Sequence, residues 1–189
     1  MNYGNYYFQD EKVKLRPWEP MDYDDAYEME YDSECMALIR EEVVLPGKRI
    51  TVDPEGDSAE IDLKAPAFSI IDNEGNYVGY IHFNYINERH GTFSIGLAIK
   101  RVDRIQGYGK AALTLLVKYA FEERRLHKFT AYCLDNNQIA MKLLESIGCR
   151  REGVDRESVF MYGRYHDRFL YGMTADEYAT LYTTDEFLK

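Results

Sequence analysis

A short glycine-containing segment, residues 104–110, carries the clearest chemical signal in this sequence. It has the sequence RIQGYGK and lies between a predicted strand and the start of a predicted helix. The first amide groups of a helix have no acceptor within the helix, and glycine lets the backbone come close to phosphate oxygens. Arg101, Arg104 and Lys110 add positive charge. The segment therefore predicts an anion site, and several amides in a row favour a pyrophosphate over a single phosphate.

Neither of the two best known phosphate-binding loops fits this segment. A Walker loop continues with serine or threonine after its lysine, whereas Lys110 is followed by alanine. The dinucleotide fingerprint needs three glycines, and only Gly107 and Gly109 are present. Because two glycines before a helix also form ordinary turns, the segment by itself leaves a plain turn as the alternative.

The strand predicted before this loop, residues 92–99, has two very different faces. Its large apolar side chains alternate with small residues, the first set being Phe93, Ile95, Leu97 and Ile99 and the second Ser94, Gly96 and Ala98. Alternate residues of a strand point to opposite faces of the sheet, so one face is unusually shallow. Either a ligand or a packed backbone must come close to that face.

The other predicted elements place the loop in a mixed sheet. Before the shallow strand, the pattern predicts an edge strand at 12–17, one or two helices at 21–42, a long loop at 43–66, and strands at 68–72 and 77–86. After the glycine loop, it predicts a helix with apolar positions from 112 to 121, a strand at 128–134, and a helix at 137–147 that ends at Gly148. The chain then continues with a hairpin of 157–161 and 164–173 around Tyr162-Gly163 and a terminal helix capped at Thr174. A strand, a helix and a strand over 92–134 imply one parallel pair in an otherwise antiparallel sheet. The predicted fold class is therefore α+β.

Length and composition indicate one soluble domain. The chain has 189 residues, 46% hydrophobic and 30% charged, which allows a sizeable core and excludes a wholly disordered protein. No apolar run approaches the roughly 20 residues that span a bilayer, and the N-terminus lacks a signal-peptide pattern. We therefore expect a cytoplasmic protein with no membrane partner. The three cysteines, Cys35, Cys133 and Cys149, fit neither a disulfide framework nor a metal site and are expected to be free thiols.

The distribution of charge separates the first third of the chain from the rest. The net charge of −10 argues against a nucleic-acid partner, because phosphate contacts need clustered cations. Residues 1–64 hold 17 acidic and 7 basic side chains, whereas residues 65–189 hold 16 of each. We expect either an electronegative surface that attracts a cationic partner or, as the alternative, solvated helix faces.

With these elements around it, the glycine loop resembles that of a known family. The pattern RxxGxG at 104–109 follows the shallow strand, a helix starts at Asn137, and the segment LLESIGC occupies 143–149. Together these features are similar to those of the GCN5-related N-acetyltransferase (GNAT) family. Residues 106–153 and 162–172 look closest to its ribosomal-protein N-terminal acetyltransferase-like branch.

The resemblance extends over most of the chain. It covers residues 12–17 loosely and 68–173 closely, and is missing mainly over the loop at 43–66. It implies a single GNAT-like N-acetyltransferase domain over 1–189, with a mixed, mostly antiparallel sheet, a central parallel strand pair and flanking helices. Residues 174–189 would form a C-terminal helical tail.

The resemblance implies acetyl-CoA as the acyl donor and no metal. The backbone amides of five consecutive residues would hold the pyrophosphate, beside the Arg104 side chain: Gln106, Gly107, Tyr108, Gly109 and Lys110. Three residues of the preceding strand would pair their backbone with the pantetheine arm: Leu97, Ala98 and Ile99. Asn137 would reach the cofactor, or else only cap its helix. Lys142 would face the phosphate end, or else be a solvated helix lysine.

The family's usual acid and base do not carry over to this sequence. Ser94 stands where a glutamate base is common, and Leu144, where a tyrosine acid is common, cannot donate a proton. Ala140 also replaces a hydroxyl residue often seen in this branch. Polarisation of the thioester carbonyl would still come from a backbone N–H of the strand that contains residues 97–99.

Substitute catalytic groups are proposed from the residues themselves. His82 has an ordinary pKa near ~6.5 and could take up a proton directly or through water; its alternative is a satisfied histidine in a polar sheet face. Ser94 could position a water, or it could be small only to permit close packing. Tyr132 and Cys133 lie on the strand that would run beside the bound cofactor, where one of them would come near its sulfur, but neither is assigned a catalytic role.

The resemblance leads to one main functional hypothesis. It is an acetyl-CoA-dependent N-acetyltransferase that acts by direct transfer in a ternary complex on a primary amine, namely a protein N-terminus, a polyamine or another small amine, with a cationic acceptor expected. The alternative is a non-catalytic coenzyme A-binding sensor or scaffold with a degenerate site; nucleotide binding by the same loop is a third. A homodimer is common in the family, and the sequence leaves the oligomeric state open.

Overall fold

Seven strands and four α-helices lie within residues 7–32 and 67–182, which are the residues that the computed structural model describes. The strands are β1 Val13–Pro17, β2 Ala67–Asp72, β3 Tyr77–Asn87, β4 Thr92–Ile99, β5 Lys128–Leu134, β6 Arg150–Met161 and β7 Arg164–Thr174. The helices are α1 Tyr23–Tyr31, α2 Tyr108–Lys118, α3 Gln138–Ser146 and α4 Ala175–Tyr182. A π-helical turn, Tyr119–Glu123, extends α2.

The strands form one mixed sheet in the order β1-β2-β3-β4-β5-β7-β6. Every pair of neighbours is antiparallel except β4 and β5, which are parallel. This confirms the predicted α+β class and its parallel pair. The β4–β5 pairing consists of Thr92 with Lys128 and Phe93 with Phe129 only. Beyond Phe93 the two strands separate, and this leaves an opening in the middle of the sheet.

The buried core lies between the sheet and helix α2. The Phe93 and Phe129 rings stack with their centres 5.3 Å apart, where β4 and β5 are still paired. Leu116 of α2 is fully buried in the same cluster, with Met173 of β7. Burial of side chains of this size contributes about 1.5–3 kcal/mol each. The core therefore fixes the base of the opening and the position of α2 above it.

Helix α1 is fixed to the edge of the sheet by a buried carboxylate. Asp22, 2% exposed, accepts hydrogen bonds of 2.7 and 2.8 Å from both terminal nitrogens of Arg16 on β1. It also accepts from the Ser69 hydroxyl of β2 at 2.7 Å and from the Glu19 amide at 2.9 Å. Burial alone would raise the pKa of Asp22, but these hydrogen bonds together hold it below its ordinary value.

Several local predictions are confirmed. Asn137 caps α3, and Gly148, at φ +96°, ends it with a hydrogen bond from the Cys149 amide to the Leu144 carbonyl. Thr174 and Glu177 form the predicted capping box at the start of α4. Strand β1 is the edge strand at one end of the sheet. No helix in the described ranges is long and apolar enough to cross a membrane.

One strand boundary was predicted wrongly, and some predicted elements lie outside the described residues. Strand β6 begins at Arg150, not at residue 157, because its first half is a solvent-exposed run of charged residues that shows no apolar alternation. A bulge at Asp155/Val159, with Glu157 at φ +51°, further disturbs the pattern. The rest of the helix predicted at 21–42, beyond residue 32, and the loop at 43–66 lie outside the described residues.

The Asp22 cluster predicts a specific loss of stability. We expect Asp22→Asn to lower the free energy of unfolding by about 3 kcal/mol at pH 7, because it removes the charge that satisfies the Arg16 guanidinium. The pKa of Asp22 is lowered by folding, so its contribution is fully present above the ordinary aspartate pKa and is lost as the pH falls through the lower folded pKa. Chemical denaturation of both proteins between pH 7 and pH 3 measures the difference.

The matched control is Glu28→Gln, which changes an exposed carboxylate on α1. We expect it to shift the free energy of unfolding by less than about 0.5 kcal/mol. A difference between Asp22→Asn and the native protein that stayed constant below pH 4 would contradict the assignment.

Candidate functional site

The opening between β4 and β5 holds a cavity of about 370 Å³. Ser94 and Gly96 line it from β4, and Tyr132 and Cys133 line it from β5. Because Phe93 is in register with Phe129, Cys133 shares a sheet face with the apolar side chains of β4, whereas Tyr132 shares the opposite face with Ser94 and Gly96. Residues from both faces line one cavity, so the cavity runs through the sheet.

A second cavity of about 300 Å³ continues the first on the face of the sheet that carries α2. Four residues line both cavities, so the two form one cleft: Leu97, Asn137, Ala140 and Leu143. The second cavity reaches the glycine loop and includes Arg104, Gly107, Gly109 and Lys110 in its lining. The cleft therefore joins the predicted anion site to the opening in the sheet.

The glycine loop ends in a helix start with free amide groups. Gly107, at φ +92°, is the N-cap of α2, and its carbonyl accepts the first helical hydrogen bond from the Ala111 amide at 3.0 Å. The amides of Tyr108, Gly109 and Lys110 precede that bond and have no acceptor within the helix. A helix start of this kind, beside cationic side chains, suits an anionic ligand.

Two cations hold the loop from different parts of the chain. The Arg104 Nε donates to the Ile99 carbonyl at 3.3 Å, which ties the loop to the end of β4. The Lys12 Nζ donates to the Gln106 carbonyl at 3.5 Å and lies beside Gly107. Sequence reasoning missed Lys12, because 94 residues separate it from Gln106 and no local pattern signals the contact.

Most of the predicted cofactor residues come together in the second cavity, and the exceptions are informative. Leu97, Ile99, Arg104, Gly107, Tyr108, Gly109, Lys110 and Asn137 all line it. The Ala98 side chain points to the other face and is buried against Met29 of α1. Gln106 is exposed, with its carbonyl bonded to Lys12. Lys142 is exposed on α3 and is not part of either lining, so its contact with a phosphate stays a prediction.

Asn137 has a structural role that is visible directly. Its Oδ1 accepts the Ala140 amide at 3.0 Å, as an N-cap does. The residue is only 8% exposed and lines both cavities. Asn137 therefore does cap α3, and whether it also contacts a cofactor stays a prediction.

The turn that leads into Asn137 is fixed from β7. His166, 2% exposed, lies with its Nδ1 2.8 Å from the Asp135 carboxylate, while its Nε2 accepts from Arg164 at 3.2 Å. The His166 hydrogen bond holds the pKa of Asp135 below its ordinary value. The Asp135 amide in turn donates to the Asp167 carbonyl. These bonds set where α3 begins, and so where Asn137 faces the cleft.

The shallow face of β4 is covered by side chains of β3. His82 is in register with Gly96, and a Cβ at Gly96 would lie 2.5 Å from its Cε1 and 2.7 Å from the Asn84 Oδ1. Gly96 also lines the 370 Å³ cavity, so the approach of a ligand to this face stays a prediction. The absence of a side chain there makes room for His82 and Asn84.

His82 lines neither cavity, but it lies on β3 beside Gly96, which does. Its ring is half-buried, stacks on Tyr80 with centres 5.8 Å apart, and is hydrogen-bonded to Asn84. Burial lowers the pKa of His82 below 6.5, and the bond to Asn84 opposes this only in part. The imidazole is therefore neutral at pH 7. It shares its sheet face with Ser94, which lines the cavity.

Two further groups face the opening from β5. Tyr132 is 52% exposed, with the Arg168 guanidinium 4.6 Å from its ring centre. Cys133 is buried, and burial raises the pKa of its thiol to about 11, so it is protonated at neutral pH. Cys133 and Cys149 are both free thiols, as predicted, whereas Cys35 lies outside the described residues. Arg168, which lines the cavity from β7, was missed because only sheet pairing brings it there.

Comparisons with known proteins agree with this geometry. The family model described as the acetyltransferase (GNAT) domain matches residues 12–150. An uncharacterised N-acetyltransferase of Bacillus subtilis (strain 168), YnaD, is 28% identical over 170 residues, or 88% of this chain and 96% of the relative. A putative ribosomal N-acetyltransferase of the same strain, YdaF, is 25% identical over 130 residues, or 69% and 70% of the two chains.

A solved structure shows the same fold. The spermidine N-acetyltransferase from Vibrio cholerae, in complex with CoA and spermine, superposes with a TM-score of 0.78 at 21% sequence identity. The superposition covers 89% of this chain and 99% of the other. The overall fold of this chain is thus one that occurs in a solved acetyltransferase.

Proposed function

The chain belongs to the GNAT acetyltransferase family, and on that premise we propose that it transfers the acetyl group of acetyl-CoA directly to a primary amine. Its family and fold make it an acyltransferase of the N-acetyltransferase type. The observation that carries the proposal is the cavity that runs through the sheet between β4 and β5. Donor and acceptor can meet in that cavity from opposite faces, as a ternary complex requires.

The donor fits the cleft on the α2 face. The amides at the start of α2, beside Arg104 and Lys110, suit the pyrophosphate of coenzyme A. Within the described residues, the edge of β4 that faces the opening has no strand partner beyond Phe93. The pantetheine arm, which carries amide groups, would pair with the backbone of residues 97–99 at that edge. The solved complex of the Vibrio cholerae enzyme with CoA and spermine supports this choice of donor.

The acceptor would approach from the face that carries His82. A primary ammonium has a pKa near ~10 and must lose a proton before its nitrogen can attack. The neutral His82 imidazole would take that proton, directly or through a water held by Ser94. The amine nitrogen then bonds to the thioester carbonyl carbon, the carbon–sulfur bond breaks, the thiolate leaves, and the nitrogen gives up the second proton that it must lose to become an amide. A β4 backbone N–H would stabilise the carbonyl oxygen during attack.

The leaving thiolate would take up the second proton released by the nitrogen, passed on through a water in the cavity. Leu144 is 6% exposed and lines the opening at the position where the family often has a tyrosine. A hydrocarbon side chain cannot serve as the acid. The coenzyme A thiolate can leave without protonation by a side chain, because thiols ionise near pKa ~8.5 and thiolates are therefore good leaving groups.

A cationic acceptor is the class that the charges favour. Excess negative charge is confined to residues 1–64, and the Vibrio cholerae enzyme was solved with spermine. At least three of these carboxylates are already paired within the described part: Asp22 and Glu19 with Arg16, and Asp25 with Lys100 at 2.6 Å. Attraction of the acceptor therefore depends on the remaining ones.

A sensor that binds coenzyme A without turnover is the second candidate. The observation behind it is the replacement of the family's usual groups by Ser94, Ala140 and Leu144. Release of free thiol from acetyl-CoA, measured over a panel of amines, separates the two functions. Turnover with any amine supports the enzyme, and cofactor binding without thiol release would contradict it.

We expect Gly109→Val to weaken coenzyme A binding at least about tenfold. A Cβ at Gly109 would sit 3.6 Å from the Leu97 and Ile99 side chains, so the backbone tolerates a side chain but the added methyl groups fill the cleft. Isothermal titration measures the affinity. The control is Gly153→Val on β6, where a Cβ meets open space. Unchanged affinity in Gly109→Val would show that the loop does not bind the phosphates.

We expect His82→Gln to lower kcat/KM by about 100-fold or more at pH 7.5. In the native enzyme kcat/KM should fall as the pH falls through the pKa of His82, which lies below 6.5, because only the neutral ring accepts a proton. Rates measured from pH 5 to 9 with one acceptor, for the native enzyme and the variant, isolate this fall in kcat/KM, which is the acidic limb of the pH profile. His90→Gln, in the exposed β3–β4 turn, is the control. Survival of the acidic limb in His82→Gln would exclude His82 as the base.

We expect added salt to raise KM for a polyamine much more than KM for a monoamine, with kcat less affected. The reason is that attraction between exposed charges is screened over roughly 8–10 Å at physiological ionic strength. Initial rates at increasing sodium chloride with spermidine and with a simple monoamine provide the comparison. Equal salt sensitivity for the two amines would show that the carboxylates of residues 1–64 are solvated side chains that do not attract the acceptor.

A further inference from the structure

Ile105, in the glycine loop, has an unusual backbone conformation. Its φ is +67°, in the left-handed region. A β-branched residue there is a true outlier, because its side chain crowds the backbone. The side chain is also 92% exposed, so it gains almost nothing by packing within the protein. Fold stability therefore does not account for an isoleucine at this position.

The position of Ile105 relative to the cleft suggests a reason for the isoleucine at this position. Ile105 lines the 300 Å³ cavity on the α2 face, together with Gly107 and Gly109. Ile139, 53% exposed on α3, lines the same cavity. Val102, which is 79% exposed three residues before Ile105, is not part of that lining. Two exposed branched apolar side chains from different elements thus border one mouth of the cleft.

We propose that Ile105 and Ile139 hold the adenosine end of coenzyme A where it leaves the cleft. This inference rests on the proposed function, since it takes the pyrophosphate to lie on the amides at the start of α2. The pantetheine arm and thioester then occupy the deeper part of the cleft, which Leu97 and Leu143 line. The part that remains outside is the nucleoside, and a flat purine face buries apolar surface well against branched aliphatic side chains.

The proposal explains why the strained conformation is kept. Strain at a binding site persists where the side chain does something that a relaxed residue would not do. Asparagine adopts the left-handed region with much less crowding than isoleucine and carries no apolar surface. Replacement of Ile105 by asparagine should therefore stabilise the free protein and at the same time weaken its binding of coenzyme A.

The test uses Ile105→Asn and three probes: coenzyme A, adenosine 3′,5′-bisphosphate and 4′-phosphopantetheine. We expect the melting temperature of the free protein to rise by a few degrees, because the strain is relieved. We expect the Kd for coenzyme A and for the bisphosphate to rise by about five- to tenfold, because the apolar contact is lost. The Kd for phosphopantetheine should not change.

Two matched variants complete the design. Val102→Asn makes the same chemical change at an exposed site outside the cleft and should leave all three affinities unchanged. Ile105→Val keeps a β-branched apolar side chain and should keep both the native melting temperature and most of the affinity. A loss of affinity in Val102→Asn equal to that in Ile105→Asn would overturn the proposal.

The remaining outcomes are also decisive. Unchanged bisphosphate affinity in Ile105→Asn, or an equal loss for bisphosphate and phosphopantetheine, would overturn the adenosine contact. Failure of the native protein to bind coenzyme A at all would contradict the proposed function itself. Native binding with no change in Ile105→Asn would contradict only the inference drawn from Ile105.

Discussion

The early end of the pairing between β4 and β5 is the constraint on which the site depends. Two residue pairs join these strands, and beyond Phe93 the strands separate. Backbone amides and carbonyls along a buried edge need partners, and the missing partner here is a neighbouring strand. An extended ligand with amide groups can supply it. The cavity, the exposed edge and the apolar lining by Leu113 and Leu144 all follow from this one interruption.

The rest of the fold holds the opening in shape. The stacked Phe93 and Phe129 rings close it at its base. On one face, α2 presents its first turn, and the His166–Asp135 hydrogen bond fixes the turn from which α3 starts. On the other face, Asp22 anchors the start of α1 to β1 and β2. The helices thus border the opening without filling it.

Sequence patterns predicted the parts of this arrangement that are encoded locally. The cap at Asn137, the terminator Gly148 and the glycine loop before α2 each depend on a few adjacent residues, and each lies where it was expected. Contacts made by sheet pairing were not predictable, such as Arg168 beside Tyr132 or His82 over Gly96. The first half of β6 was missed because exposed charged residues on an edge strand give no apolar period.

The narrow junction also divides the sheet mechanically. Strands β1 to β4 form one continuous ladder and strands β5, β7 and β6 another, and the rungs between the two are those at Thr92 and Phe93. A bound molecule that hydrogen-bonds to β4 and packs against β5 adds the rungs that the polypeptide lacks. In the proposed reaction acetyl-CoA would complete the sheet, and the departure of coenzyme A would leave its two parts joined through the pairs at Thr92 and Phe93.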